Sequence, residues 1–285
     1  MSFSIEAVDQ STESSMVDFL KQHEDYTLFL LGNYENCGLT LAESPLSGNY
    51  KIIRNPEGKV IGVFCLTKRG NLLIESTISA PVFDLVLSSC EEESHPLKGI
   101  LGRWDLCKPF WDFLKNKQVI DQEVFTSKEV LYSIDLSTVQ FESQPNVRLL
   151  KQNDYIQWKS LRLDFLGEAG LPNDLTDDQL YQSYLDKTQR KIAWGYFIED
   201  QLVSIADLNA KAVDLGQVGG VYTIPAFRKR GYSRAVMKHL LADSKKIHSI
   251  RKTIIFTGEK NLSAQKLYES LGVSPVGHFA LLFGE

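Results

Sequence analysis

The sequence predicts an α/β chain in which a mixed central sheet flanked by helices is built twice in tandem. Three observations carry that expectation. Short β-branched apolar runs alternate with longer runs of helical period along all 285 residues. The order in the first half is helices, three strands, helix, strand, helix, strand, and it returns in outline in the second. At 217–241 a strand, a basic glycine turn and a helix follow one another directly. The chain is long for one domain and comfortable for two.

In the first half, residues 12–23 read as a helix anchored by Met16, Val17, Phe19 and Leu20. Tyr26–Leu31 continues apolar and meets Gly32-Asn33. Strands follow at Tyr50–Arg54 and Lys59–Thr67, joined by the turn Asn55-Pro-Glu-Gly58. Leu72–Ser76 is a third strand. A helix over 80–90 starts at Pro81. Gly99–Arg103 is a short strand, Lys108–Leu114 a helix and Glu129–Asp135 a strand.

Residues 140–146 read as a linker or edge. Val147–Leu150 opens the second half as a strand, and Asn153 or Asp154 can cap a helix carrying Tyr155, Trp158, Leu161 and Phe165. Gly167–Pro172 reads as a loop. Thr176-x-x-Gln179 is a capping-box pattern for a helix over 177–189. A hairpin, Ile192–Glu199 with Leu202–Ala210, turns at Asp200-Gln201. Asp214–Gly216 leads into a central strand, 253–258 is the next, and Val276–Phe283 finishes the sheet.

Composition bounds the function. The formal net charge is −5, which does not support a nucleic-acid surface. Cys37, Cys65, Cys90 and Cys107 have no metal-like spacing and read as free thiols of a reducing cytoplasm. No run approaches the roughly 20 apolar residues of a membrane helix, and the N-terminus lacks a signal pattern. The expected location is cytoplasmic, with no metal, membrane or nucleic-acid partner.

Against this acidic balance stands the basic cluster Arg228, Lys229, Arg230 and Arg234 around Gly231. A charge run is usually a solvated face. Here it sits on an expected helix start, where unpaired N–H groups and the helix dipole favour an anion such as phosphate. Gly231 allows the sharp bend. Gly219-Gly220, inside the preceding strand, marks a bulge or a close backbone approach.

Arg228-x-x-Gly231-x-Ser233 resembles the Q/R-x-x-G-x-G/A signature of the GNAT N-acetyltransferase superfamily, with Ser233 where glycine or alanine is usual. Asn261-x-x-Ala264-x-x-Leu267-Tyr268-x-x-x-Gly272-Val273 is similar to that family's closing motif, with Val273 in the place of an aromatic. The resemblance implies a catalytic GNAT domain over 145–285 behind a degenerate GNAT-like domain over 1–144, as in a group of predicted bacterial acetyltransferases. In the first half, Cys90-Glu-Glu-Glu-Ser-His-Pro96 replaces the glycine turn with an acidic stretch that would repel phosphate.

The resemblance also implies roles. Acetyl-CoA would be the co-substrate, held by Val221, Tyr222, Thr223, Arg228, Lys229, Arg230, Gly231, Tyr232, Ser233, Arg234 and Asn261. Tyr222 or Thr223 would offer an N–H to the thioester oxygen. On helical spacing Ala264, Leu267, Tyr268 and Leu271 share an inward face. That alone reads as a core tyrosine; the resemblance makes Tyr268 the acid that protonates the leaving thiolate. The base is open between Glu168, Asp207 and water. His239 and His248 read as surface residues and His278 as a weak candidate. The acceptor would be an amine-bearing small molecule or peptide. The other functions this sequence admits are an acyl-CoA sensor without turnover and a tRNA-dependent aminoacyl transferase.

Overall fold

The computed structural model describes residues 2–171 and 175–285. In chain order the elements are β1 (Ser4–Ala7), α1 (Glu13–Gln22), α2 (Glu24–Cys37), β2 (Gly48–Arg54), β3 (Val60–Thr67), β4 (Asn71–Ser76), α3 (Phe83–Glu91), β5 (Gly99–Arg103), α4 (Trp104–Asn116) and β6 (Glu123–Asp135). Then come β7 (Val147–Leu149), α5 (Tyr155–Ala169), α6 (Asp177–Gln189), β8 (Ala193–Ile198), β9 (Gln201–Ala212), β10 (Leu215–Thr223), α7 (Tyr232–His248), β11 (Lys252–Gly258), α8 (Leu262–Glu269) and β12 (Pro275–Gly284). The chain forms two compact units. One holds Met1–Leu131, Phe256–Asn261 and Pro275–Glu285; the other holds Tyr132–Ile255 and Leu262–Ser274.

In the first unit the strand order is β1-β2-β3-β4-β5-β12, antiparallel except for the parallel pair β4–β5. One core gathers Phe64, Ile74, Val86, Ile100, Phe110 and Trp111 from the strands and from α3 and α4. The helix expected to start at Pro81 begins with a 3-10 turn, Ala80–Val82, before α3. α2 runs straight through Gly32-Asn33, because Leu28, Leu30 and Leu31 are buried and their packing outweighs the glycine.

The last strand departs from expectation. Val276–Phe283 was expected to close the second half's sheet. Instead β12 pairs antiparallel with β5, Phe279 opposite Arg103 through Phe283 opposite Gly99. Ala280 and Leu282 enter the first unit's core. Gly99 makes room for it, since a Cβ there would stand 2.6 Å from Phe283 Cδ1. A terminal strand's apolar pattern does not say which of two similar sheets it joins; an edge with matching register and space does. A chain ended at Ser274 should therefore leave β5 as an open edge. It would also forfeit the burial of Phe279 and Leu282, roughly 1.5–3 kcal/mol each. We expect a large fall in melting temperature or insolubility; an unchanged melt would contradict this role for β12.

In the second unit the order is β11-β10-β9-β8-β7, antiparallel except for the parallel pair β10–β11. Period-2 alternation divides its faces. Ala193, Phe197, Ile205 and Tyr222 pack with Trp158 and Leu161 of α5 and with Leu180 and Tyr184 of α6. Trp194 points the other way and donates from Nε1 to Asp243 Oδ2 of α7 at 2.8 Å. The capping box forms as its sequence requires, Gln179 N–H to Thr176 Oγ1 at 3.3 Å and Thr176 N–H to Gln179 Oε1 at 2.9 Å. Gly167–Ala169, expected in a loop, complete the last turn of α5, which ends at the left-handed Gly170; Pro172, at the end of that expected loop, lies outside the described residues. The hairpin turns one residue earlier than expected, at Glu199-Asp200, with Glu199 at φ 53°.

Candidate active site

β10 pairs with β11 only from Leu215 to Val218. Beyond that point its partners come from β9, and a bulge interrupts them between Gly219 and Tyr222. The two glycines differ: Gly220 needs its left-handed backbone, whereas at Gly219 an added Cβ would displace the end of the exposed Asn209 side chain. Gly220 has φ +60°, and a Cβ on Gly219 would overlap Asn209 Nδ2 at 2.0 Å. Ser204 Oγ donates to Tyr222 O at 2.9 Å and Ile224 N–H to Val203 O at 3.1 Å, so these groups face β9. Alternation turns the Thr223 N–H to the opposite side, away from β9. Of the two candidate donors, Thr223 is the one with its amide on the open side.

A 3-10 turn, Pro225–Phe227, carries the chain to the basic turn. Lys229 has φ +61° and Gly231 φ +82°, and α7 begins at Tyr232. Among the described residues, no backbone carbonyl accepts from the N–H groups of 229–234, whereas Ala235 N–H is the first to bond back, to Gly231 O at 3.0 Å. Nothing lies within 4 Å of a Cβ built on Gly231. The turn therefore offers exposed amides beside open space, the arrangement that accepts phosphate oxygens.

The cationic side chains divide. Arg228 is engaged: its Nη2 donates to both Glu168 carboxylate oxygens, at 2.7 and 2.8 Å, and its Nε donates to Thr223 O at 2.9 Å. Arg234 Nη2 donates to Ser270 O at 2.8 Å. Arg230 lies over the Phe227 ring at 5.7 Å. The Tyr232 ring packs on Tyr196 at 4.6 Å, which leaves its backbone amide as the group facing the turn. Val221, Tyr222 and Thr223 run directly into this turn, so the structure brings all of 221–223 and 228–234 onto one stretch.

Glu168 does not have the character of a base. Its bond from Arg228, and then the one from Tyr222 Oη at 3.0 Å, hold its carboxyl below the usual range. The same contact works oppositely on Tyr222, whose hydroxyl is pushed up to about 12, first by burial and then by Glu168. Asp207 differs: it is fully buried on β9, on the face covered by α5 and α6. Lys187 Nζ pairs with its Oδ2 at 2.9 Å, and among the described residues Oδ1 has no hydrogen-bond partner. Lys187, paired with this carboxylate, and Arg162, whose Nη1 like Asp207 Oδ2 lies within 3.6 Å of a Cβ built on Gly220, were missed from sequence. The available signal was a charge at an inward position of the run Leu202-Val-Ser-Ile-Ala-Asp207-Leu.

Tyr268 is 4 % exposed on α8 and meets the Tyr132 ring edge-on at 5.4 Å. Asn261 precedes α8, and its N–H closes a turn on Gly258 O at 2.8 Å. His239, expected at the surface, is packed instead: its Nδ1 accepts from Gln144 N–H at 2.9 Å and Nε2 lies 3.4 Å from Asp243. His248 sets its ring against Trp194. His278 falls on β12 in the first unit. Burial pushes the Cys90 thiol up to about 12 and raises Cys65 and Cys107 too, so these thiols are poor nucleophiles. Among the described residues no group of three or more His, Cys, Asp or Glu is placed to hold a metal, and no helix is long and apolar enough to cross a membrane.

The first unit's corresponding strand pair is differently filled. β4 and β5 pair from Asn71 to Ile74, and at their ends Arg103 Nη2 bonds Glu75 Oε1 at 2.7 Å and also Ser76 O. Glu75 is fully buried, and that burial pushes its carboxyl up to about 7 against the pull of Arg103. An ion pair thus occupies the strand ends where β10 has its bulge. Glu93 of the acidic stretch is held by Lys51 at 2.9 Å and by Asn49 at 2.7 Å.

A strand that parts from its parallel neighbour at a glycine bulge, then turns through a left-handed glycine into a helix, defines an acyl-CoA N-acyltransferase-like fold. The model of the Acetyltransferase (GNAT) family matches residues 156–273, and that segment belongs to the GNAT superfamily. No curated protein matches the chain. Solved structures share the fold along its length. An acetyltransferase of the GNAT family from Colwellia psychrerythraea is 12 % identical, covering 99 % of this chain and 100 % of its own, with a TM-score of 0.54. A GCN5-related N-acetyltransferase from Sphaerobacter thermophilus is 11 % identical over 98 % and 94 %, TM-score 0.61. A Drosophila protein is 10 % identical over 98 % of each, TM-score 0.67. The chain is two GNAT-like domains in tandem.

Proposed function

We propose that the protein is an acetyl-CoA-dependent N-acetyltransferase that acetylates a primary amine by direct attack, with the second half catalytic and the first a scaffold. The observation that carries this reading is the unbroken run from the β10 bulge to the Gly231 turn. It combines an unpaired strand edge, exposed N–H groups and open space, which suits an extended pantetheine arm ending in a pyrophosphate. In this reading the amides of 229–234, with Lys229 and Arg230, hold the pyrophosphate. The edge of Val221–Thr223 pairs with the arm as an added strand would. The Thr223 N–H stabilises the thioester oxygen, a contribution of about 3–4 kcal/mol for one such donor. Tyr268 supplies the proton for the departing sulfur. Asn261 caps α8 or touches the arm. Arg228, bound to Glu168, orders the strand end rather than meeting phosphate directly.

Supporting the division of labour, the Arg103–Glu75 pair occupies the first unit's strand ends, and that half lacks a glycine turn. Titration of the whole protein with acetyl-CoA should give one site per chain, and thiol release should follow addition of a suitable amine. Two equivalent sites would contradict the scaffold role. Binding without thiol release across a broad amine panel would favour a sensor instead.

A further inference from the structure

We infer that Glu168 is a positioning residue: through Arg228 it holds the end of β10, so that the Thr223 N–H stays aimed at the thioester oxygen; this rests on the acetyltransferase reading above. The need for such a hold is local. β10 loses its parallel partner after Val218, and its register with β9 breaks between Gly219 and Tyr222. Gly220, inside that break, has φ +60°. A strand end that follows a glycine bulge and is paired on one side only is weakly restrained by its own ladder. A donor to a developing oxyanion contributes fully only when its direction is fixed beforehand.

Side chains supply the missing restraint. Arg228 Nε reaches back five residues to Thr223 O at 2.9 Å, while its Nη2 donates to Glu168 Oε1 and Oε2 at 2.7 and 2.8 Å. Tyr222 Oη donates to the same Oε1 at 3.0 Å. Ser204 Oγ meets Thr223 Oγ1 at 2.8 Å. Tyr222, Thr223 and Arg228 are thereby tied to one carboxylate on the last turn of α5. That helix is itself anchored, with Trp158 and Leu161 in the second unit's core. The carbonyl and hydroxyl of Thr223 are engaged, and its N–H is turned to the open side.

Glu168 suits this work and not proton abstraction. The Arg228 bond, and after it the Tyr222 bond, hold its carboxyl below the usual range, so it stays charged at the pH of the reaction. A guanidinium can satisfy a carboxylate and a carbonyl at once from one planar fork, which an ammonium does not. The arginine at the head of the turn is thus engaged at the strand end. The phosphates are left to the backbone amides with Lys229 and Arg230.

The test is acetyl transfer by the whole protein, with the fastest acceptor from a panel of amino acids, peptides and polyamines, alongside calorimetry of acetyl-CoA. Glu168→Ala should lower kcat about 10–100-fold and move acetyl-CoA affinity by less than about threefold, since a small misplacement at the reacting centre costs rate before binding. Glu168→Gln keeps an acceptor for Arg228 and should recover part of kcat. Arg228→Lys should match Glu168→Ala, because an ammonium does not bridge both partners. The double variant should be no slower than either single one. The pH profile of Glu168→Gln should fall in height and keep its acid limb. The pair is half-exposed, so the variants should keep the parent's circular dichroism spectrum. Loss of the acid limb in Glu168→Gln would make Glu168 the base. Tighter acetyl-CoA binding in Glu168→Ala would make it a brake on Arg228, and an unchanged kcat would make this a surface ion pair only. Each of these outcomes overturns the positioning role and leaves the acetyltransferase standing. Thiol release from no amine at all would remove the activity itself. Amide hydrogen exchange over 221–227 then decides the hold on the strand end: exchange about tenfold faster in Glu168→Ala supports it, and unchanged exchange overturns it.

Discussion

Gly231→Glu should abolish acetyl-CoA binding and leave the fold standing. Two physical terms separate in this variant. Gly231 has φ +82°, so any L side chain there carries left-handed strain of about 1–2 kcal/mol. Nothing lies within 4 Å of the added Cβ, so the new side chain points into open space and disturbs no packing. What it does disturb is the place proposed for phosphate oxygens. Like-charge juxtaposition costs several kcal/mol, and each 1.4 kcal/mol is tenfold in affinity, so the loss should be about a hundredfold or more. Gly231→Asn is the control, because asparagine tolerates the left-handed region and carries no charge. It should bind with a modest loss. Calorimetry showing unchanged affinity in a folded Gly231→Glu protein would remove 228–234 from the cofactor site.

Tyr268→Phe should lower the rate of the chemical step by about 10²–10⁴-fold, the range for a positioned general acid. Cofactor affinity should barely move. The ring is buried and meets Tyr132 edge-on, and phenylalanine keeps that packing. The stability change should be no more than about the 1 kcal/mol of one hydrogen bond. The measurement is single-turnover acetyl transfer with the best acceptor, alongside a thermal melt. A melt shift with an unaltered rate would assign Tyr268 to the core alone.

Much of the second half was legible because its signals are local. Thr176 and Gln179 lie within one helical turn of each other and form the capping box their spacing requires. The strand, turn and helix around Gly231 follow from a glycine that must reach positive φ and from the helical period after it. The Gly219-Gly220 bulge was readable too, since two glycines inside an apolar strand have little use there except to relieve geometry. The loop reading of Gly167–Ala169 gave glycine its usual propensity, and α5 instead ends at the left-handed Gly170.

The sequence by itself determined the two-halved α/β layout, the phosphate-type turn with its helix, and the bulged strand before it. Each of these depends on residues a few positions apart, where backbone sterics and periodicity act directly. Only the tertiary structure decided three further things. β12 pairs with β5, because a strand's alternation fits either sheet until register and space select one. Arg228 is held by Glu168 and is not free in the turn, because its partner lies sixty residues away on α5. And Asp207 is buried in an ion pair with Lys187, because β9 and α6 bring together two residues that no spacing in the chain connects.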